Sequence, residues 1–281
     1  MKFDVIVGNP PYQTKSDASD TKTQPIWHKF VAKSLSFLKE NGNLCFVHPS
    51  GWRSGGNIFK DAKEIKDKQI QYLEIHSEQD GNTTFGATTR YDWYVLKNCP
   101  ASSDTIVKDQ DGVKVTISLV DKSFIPNSQI EKVYSMLAKK DEERCEIIGD
   151  SSYHTQRSEI MSNEKNDKFQ YPIVYSTPVD GPTIWYSSTN ERGHFGIPKI
   201  ILNPSRPIGF VMDLKGEYGM SQFCIGIVGD EQYLMMVTKV IQNQKTNGFA
   251  EFMETCHFTD KIFNKESISE FRKDFWKQFI D

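Results

Sequence analysis

Phe3-Asp4-Val5-Ile6-Val7 is an apolar run that passes through one glycine into Asn9-Pro10-Pro11-Tyr12. Few sequence features constrain a fold more. Two consecutive prolines have no N–H to give to a sheet and hold φ near −65°, so the strand must stop there. At its end it sets out a side-chain amide, stiff main-chain carbonyls and an aromatic ring. At average residue frequencies the four letters NPPY turn up by accident in about one chain of this length in a thousand. A plain proline turn with Asn9 as turn former is the weaker reading.

That set of groups suits one chemical task. An exocyclic amino group on a flat base is a poor nucleophile, because its lone pair is delocalised into the ring. The Asn9 amide oxygen and the Pro10 carbonyl can accept its two hydrogens and favour a pyramidal nitrogen. Their help grows as positive charge develops in the transition state. Neither proline brings a competing donor, and Tyr12 offers a face on which an extruded base can stack.

The strand opens an alternation. Pro25 suits a first helical turn, and Ile26, Trp27, Phe30, Val31, Leu35 and Leu38 repeat at helical spacing until Asn41-Gly42. A strand over Leu44 to Val47 runs into His48-Pro49-Ser50-Gly51-Trp52-Arg53-Ser54-Gly55-Gly56. A lysine-rich helix over Asn57 to Lys68, strands over Gln69 to Ile75 and Tyr91 to Leu96, and a hairpin turning at Asp111-Gly112 follow. The order strand, helix, strand, helix, strand is expected to form part of a doubly wound α/β sheet, with Asn9 and His48 to Gly56 at its carboxyl edge, where such sheets bind ligands. Gly8 to Gln24 reads as a polar covering loop.

Beyond about residue 125 the style changes. A helix over Asn127 to Lys140 leads to short strands broken by Pro and Gly, over Tyr171 to Tyr175, Thr183 to Tyr186, Lys199 to Leu202, Gly209 to Met212 and Gln222 to Ile227. Helices over Glu231 to Gln242 and Ser267 to Phe279 close the chain, the last burying Phe271, Phe275, Trp276 and Phe279. The expected organisation is α/β: a partial Rossmann-like sheet over 1–122, a helical connector over 123–149, and an irregular α+β domain over 150–281.

Composition removes other classes. No apolar run nears the ~20 residues of a membrane span, and the N-terminus lacks a signal peptide's hydrophobic region, so a cytoplasmic protein with no membrane partner is expected. Five scattered cysteines without a CxxC pair and six unclustered histidines predict reduced thiols and no metal site. With a formal charge of −3, nucleic-acid binding must rest on local basic patches. Cytosine C5 chemistry would want a Pro-Cys pair in a catalytic turn, and none is present. Asp109-Gln110-Asp111 beside Lys114 reads as a hairpin tip and not a nuclease centre.

The residues resemble a known group. VGNPPYQ, the helix with IWHKFVAKSLSFLKENG, the strand into CFVHPSGWRSGG and the later TTFGATTRYDWYVL look like adenine-N6 DNA methyltransferases of the TaqI-like and type IIG kind. The resemblance covers roughly residues 2–98. Farther on, IPKIILNPSRPIGFVMDLKGEYG and DEQYLMMVTKVIQN look like that group's target-recognition domain. It implies methyl transfer from S-adenosylmethionine to the adenine amino group in double-stranded DNA, in a restriction-modification or phage-defence setting. Asn9, Pro10, Pro11 and Tyr12 then form the catalytic turn, and Phe85, with Tyr91 as the alternative, stacks on the base from the other side. Arg53, Arg157, Lys199, Arg206 and Lys215 are the candidates for DNA contact.

One departure is large. The group's glycine-rich cofactor turn and acidic ribose ligand precede NPPY, yet only eight residues precede Asn9 here. Downstream, Gly193-His194-Phe195-Gly196 is followed by Ile197-Pro198 and not by a helix, and Gly209 and Gly216 to Gly219 do no better. A sheet cut at this strand would expose an apolar edge and face. A second polypeptide supplying the cofactor-binding half, a second copy, or a non-catalytic DNA-binding subunit or remnant all satisfy the sequence. Methylation of RNA or of a protein glutamine shares the same chemistry, but the large C-terminal half favours DNA.

Overall fold

The computed structural model describes residues 2–14, 24–54, 63–149, 151–154, 159–258 and 261–280. The chain divides into two compact units, Met1–Val133 and Tyr134–Asp281.

The first unit is a six-stranded mixed sheet in the order β1-β2-β4-β3-β5-β6. Its strands are β1 (Phe3–Gly8), β2 (Leu38–Pro49), β3 (Lys68–His76), β4 (Tyr91–Pro100), β5 (Thr105–Lys108) and β6 (Lys114–Ile117). β1 runs parallel to β2, β4 lies antiparallel between β2 and β3, and β5 is parallel to β3. The carboxyl ends of β1, β2 and β3 therefore share one edge. Helix α1 (Trp27–Phe37) is the crossover from β1 to β2 and buries Trp27, Val31 and Leu35 at the expected spacing. Each such side chain contributes about 1.5–3 kcal/mol. The helix stops before the Asn41-Gly42 signal, because β2 begins at Leu38 and absorbs those residues as a bulge, with Asn41 at φ 61. A Cβ on Gly42 would lie 2.9 Å from the Asp4 carbonyl oxygen, so the β1–β2 approach needs glycine.

The sheet's two faces differ. Leu44, Phe46, Leu73, Ile75, Tyr94, Leu96 and Val107 are buried. On the opposite face the cross-strand registers align Val7, Cys45, Val95, Tyr72 and Ile106, with Val7 72% and Ile106 44% exposed. β1 itself is an edge strand whose Phe3, Val5 and Val7 are all exposed. Of the lysine-rich helix only α2 (Lys63–Asp67) lies within the described residues. Helix α3 (Glu78–Phe85) has no counterpart in the sequence reading, and α4 (Ile130–Ser135) is shorter than the helix expected there.

The second unit holds two four-stranded sheets, β13-β9-β10-β8 and β12-β11-β14-β7. These are β7 (Ile147–Gly149), β8 (Met161–Ser162), β9 (Tyr171–Ser176), β10 (Thr183–Ser187), β11 (Lys199–Leu202), β12 (Phe210–Asp213), β13 (Gly219–Met220) and β14 (Ile225–Val228). Val174 of β9, Ile201 of β11, Met220 and Cys224 form one core cluster. Helices α5 (Glu231–Gln242), α6 (Phe249–Glu254) and α7 (Lys265–Ile268) follow, and Phe249 and Phe252 of α6 pack against Trp276 and Phe271. The long C-terminal helix is instead α7 followed by a short 3-10 turn over Phe275–Phe279. Phe271, Phe275, Trp276 and Phe279 are nonetheless all buried, so burial and not helical regularity accounts for the pattern.

Candidate functional site

Four segments meet the carboxyl edge of the first sheet: the turn after β1, the 3-10 turn Ser50–Arg53 after β2, α3 after β3, and Tyr91 at the start of antiparallel β4. In the first of these Asn9 is exposed, Pro10 buried, Pro11 exposed and Tyr12 half-buried. The turn is braced from below. The Ile26 N–H donates to the Tyr12 carbonyl at 3.0 Å and the Thr14 N–H to the Gln24 carbonyl at 2.9 Å, clamping 12–14 against the residues that enter α1. The loop at 15–23 between these clamped ends lies outside the described residues. Burial raises the Tyr12 hydroxyl's pKa. That hydroxyl oxygen is shielded from solvent without a hydrogen-bond partner, an arrangement that costs free energy unless something satisfies it.

Phe85 comes to Tyr12 from α3, with ring centroids 6.2 Å apart and planes at 77°. A base sandwiched between parallel rings needs about 7 Å, twice the 3.5 Å contact distance, so Phe85 must turn to admit one. Its helix is held at both ends. The Ser77 side chain caps the Asp80 N–H, and Gly86 takes the left-handed conformation at φ 66 just past the end. The Asp80 carboxylate accepts from the Tyr91 hydroxyl at 2.5 Å and from His76 Nδ1 at 2.6 Å. That Tyr91 bond, ahead of the His76 contact, holds the Asp80 pKa below its usual value. Burial and the same bond push the Tyr91 hydroxyl up to about 12. His76 stacks on Tyr91 at 4.3 Å, and Phe85 sets its edge on Tyr91 at 4.9 Å. Phe85 therefore meets Tyr12, while Tyr91, 6% exposed, lies behind it. The His76, Asp80 and Tyr91 brace is absent from the sequence reading. Its signal was Ser77 with acidic residues one and three places later and Gly86 at the far end.

Beneath β2 lies a buried polar network. His48 is stacked on Trp27 at 4.2 Å and 15°. Its Nδ1 faces the Pro49 carbonyl at 3.0 Å and its Nε2 the Tyr94 hydroxyl at 3.1 Å. A carbonyl only accepts, so Nδ1 carries the proton and Nε2 receives the Tyr94 O–H. Burial lowers the His48 pKa to about 4. Arg53 and Asp92 form an ion pair at 2.7 Å with both side chains fully buried. The guanidinium also donates to the Ile125 carbonyl at 2.8 Å and to Asn127 Oδ1 at 2.9 Å. Trp52 Nε1 donates to Asp92 at 2.8 Å.

These facts correct the expectation that Arg53 contacts DNA: it is an internal strut. Lys199 is corrected likewise, for its ammonium is buried and bonded to Asp213 at 2.9 Å. Arg157 lies outside the described residues. Arg206 and Lys215 are both exposed, in the loops at opposite ends of β12.

S-adenosylmethionine, which the resemblance implies, needs an open strand-to-helix turn. The described turns offer none. A Cβ on Gly229, between β14 and α5, would lie 2.2 Å from the Tyr233 ring. The helix end there is already filled by Asp230, which caps the Tyr233 N–H. The described residues therefore do not fit the cofactor. Among them no His, Cys, Asp or Glu group is placed to hold a metal, and no helix is long and apolar enough to cross a membrane.

Comparison with known proteins places the first unit's opening in context. The chain is 34% identical over 88 residues to a protein of Mycoplasma pneumoniae described as an uncharacterized adenine-specific methylase, covering 30% of this chain and 20% of that one. Among solved structures, the type IIL restriction-modification enzyme MmeI in complex with DNA is 10% identical over 95% of this chain and 45% of its own, with a TM-score of 0.48. The type IIG restriction endonuclease BpuSI is 7% identical over 90% of this chain and 42% of its own, with a TM-score of 0.33. The chain thus spans a fifth of the curated relative's length and under half of either enzyme. Residues 1–80, which carry the Asn9 to Tyr12 turn, match the Eco57I restriction-modification methylase family.

Proposed function

We propose that this chain is the catalytic and recognition part of a site-specific DNA adenine methyltransferase acting in the cytoplasm in a restriction-modification or phage-defence setting. The observation that carries the reading is the Asn9-Pro10-Pro11-Tyr12 turn at the sheet's carboxyl edge, with Phe85 brought to Tyr12. Asn9 Oδ1 and the Pro10 carbonyl accept the two hydrogens of a flipped adenine's amino group, aiming the nitrogen lone pair outward. Tyr12 and Phe85 stack on the base and exclude water. The transfer would be direct: the methyl carbon leaves the donor's sulfonium sulfur as the amino nitrogen bonds to it, the nitrogen then gives up a proton to water, and no covalent bond to the protein forms. In this reading 1–122 is the second half of a Rossmann-like methyltransferase sheet, 123–149 a connector, and 150–281 the target-recognition domain, with Arg206 and Lys215 available to phosphates.

S-adenosylmethionine would supply the transferred methyl group from a cofactor-binding half to which the described residues contribute no cradle. A second polypeptide carrying that half would pair with the open edge of β1 and cover Val5 and Val7. The exposed apolar side chains of that strand and its place at the end of the sheet support this arrangement. The lack of a cofactor cradle among the described residues favours one other reading, a non-catalytic DNA-binding specificity subunit or remnant of such an enzyme.

Radiolabelled methyl transfer to duplex DNA separates the two. With the cofactor-binding half present, wild-type chain labels adenine, while Asn9→Ala loses nearly all turnover and keeps its DNA affinity. A chain whose contribution is unchanged by Asn9→Ala is a binder and not the catalytic part.

A further inference from the structure

The second unit carries two exposed apolar tips on neighbouring loops. Val179 is 72% exposed in the loop 177–182 after β9, and Ile208 is 47% exposed in the loop 203–209 after β11. These loops are locked together. The Asn203 N–H donates to Thr177 Oγ1 at 2.9 Å, and Gly209 packs so close that a Cβ would lie 2.6 Å from the Thr177 and Pro178 carbonyl oxygens. Within each loop the chain is bonded to itself, Gly181 N–H to the Pro178 carbonyl and Ile208 N–H to the Arg206 carbonyl. The tips are therefore held out to water on a rigid base.

Positive charge gathers around them. Arg206 is exposed two residues from Ile208. Gln244 donates to the Pro207 carbonyl at 2.9 Å, which brings the exposed Lys245 alongside. The Phe263 N–H donates to the Pro204 carbonyl at 2.8 Å, which brings the exposed Lys261. The two loops themselves carry one cation, Arg206, and one carboxylate, Asp180, so the positive excess at this edge comes from Lys245 and Lys261 beside them. Apolar tips flanked by cations fit a polyanion with an apolar interior and fit poorly on a basic or purely apolar partner.

Resting on the reading of this chain as a DNA methyltransferase, we propose that the loops 177–182 and 203–209 form the edge that docks on duplex DNA. Arg206, Lys245 and Lys261 meet phosphates and fix the register. Val179 and Ile208 reach the groove and contact the apolar parts of bases, such as the thymine methyl. Lys215 lies at the opposite end of β12, about 13 Å away along four residues of strand, and is outside this edge.

The two roles have different signatures. The full chain would be titrated by fluorescence anisotropy with a random-sequence 40-base-pair duplex pool at several salt concentrations, and the bound fraction sequenced. Arg206→Ala with Lys245→Ala should reduce the slope of log affinity against log salt by about two, while the enriched bases stay the same. Val179→Ser with Ile208→Ser should keep the slope, weaken binding to the enriched sequences about tenfold, and blur the enrichment. Lys168→Ala, in the loop before β9 and so at the other end of that strand, should change neither. All these side chains are exposed, and unchanged melting curves would verify folding. If both double variants bind as the wild type does while the wild type binds DNA, this edge is wrong and the methyltransferase reading stands. A wild type that binds no duplex overturns both.

Discussion

Acid should loosen the first unit through His48, and the size of the effect follows from its burial. The ring is fully buried and its pKa lies near 4, against 6.5 for an ordinary histidine. The unfolded chain takes up a proton as pH falls through 6.5, and the folded ring does so only near 4. His48's contribution is thus complete above pH 6.5 and lost as pH falls through that window. Between pH 7 and pH 4.5 the two values give a loss of roughly 2 kcal/mol. Asp92, whose pKa burial raises, acts with the opposite sign, since its folded form takes up a proton sooner than the unfolded one. Comparison with His48→Phe cancels that contribution. The variant leaves the Tyr94 hydroxyl and Pro49 carbonyl without their partner, which costs about 1–3 kcal/mol for each group left unsatisfied. Its deficit should therefore be plain at pH 7 and shrink by roughly 2 kcal/mol at pH 4.5. Hydrogen exchange of the β2 and β4 amides, read by mass spectrometry, reports the first unit alone. The shrinkage there is about a thirtyfold change in relative protection, at 1.4 kcal/mol per factor of ten. A deficit that stays the same at both pH values would refute the reasoning. The effect bears on the site, because His48 supports Trp27 and the entry to α1 is bonded to Tyr12.

Two further perturbations test the supports of the site. Arg53→Met should destabilise the first unit by about 3–5 kcal/mol, because Asp92 is left buried without its cation; a loss under about 1 kcal/mol in urea unfolding would mean the pair is not the strut it looks to be. Tyr91→Phe removes the hydroxyl bonded to Asp80 and should cost about 1 kcal/mol, since that carboxylate is partly solvated. The Asp80 pKa should rise toward its ordinary value when followed by carbon NMR, and a pKa that does not move would contradict the assigned brace.

Much of the first unit could be read from its residues. Strand propensity and two prolines fixed the end of β1, and the Trp27, Val31, Leu35 spacing fixed α1. What sequence could not supply was side-chain fate. Arg53 stands in a glycine-rich, loop-like segment and looked available to phosphate, but Asp92, 39 residues away in sequence, draws it inside. Lys199 was misread for the same reason, since its partner Asp213 sits on the adjacent strand β12. Charged residues are buried only when paired, and pairing across a sheet leaves no local trace in sequence. Helix α3 escaped because its apolar content is slight; its caps, and not periodicity, carry it. The C-terminal aromatics illustrate the converse, since burial was legible while the helix expected to deliver it breaks after Ile268.

The central claim is that Asn9 acts on adenine in DNA, and one measurement reads it whatever the target sequence and whichever polypeptide supplies the cofactor-binding half. Genomic DNA from source cells carrying the wild-type chain, the Asn9→Ala variant or a deletion would be sequenced by a method that detects N6-methyladenine. The account predicts a methylated adenine motif in the wild type that disappears in both the variant and the deletion, while the variant chain stays folded and present at normal abundance. An adenine methylation pattern identical in all three strains would contradict it.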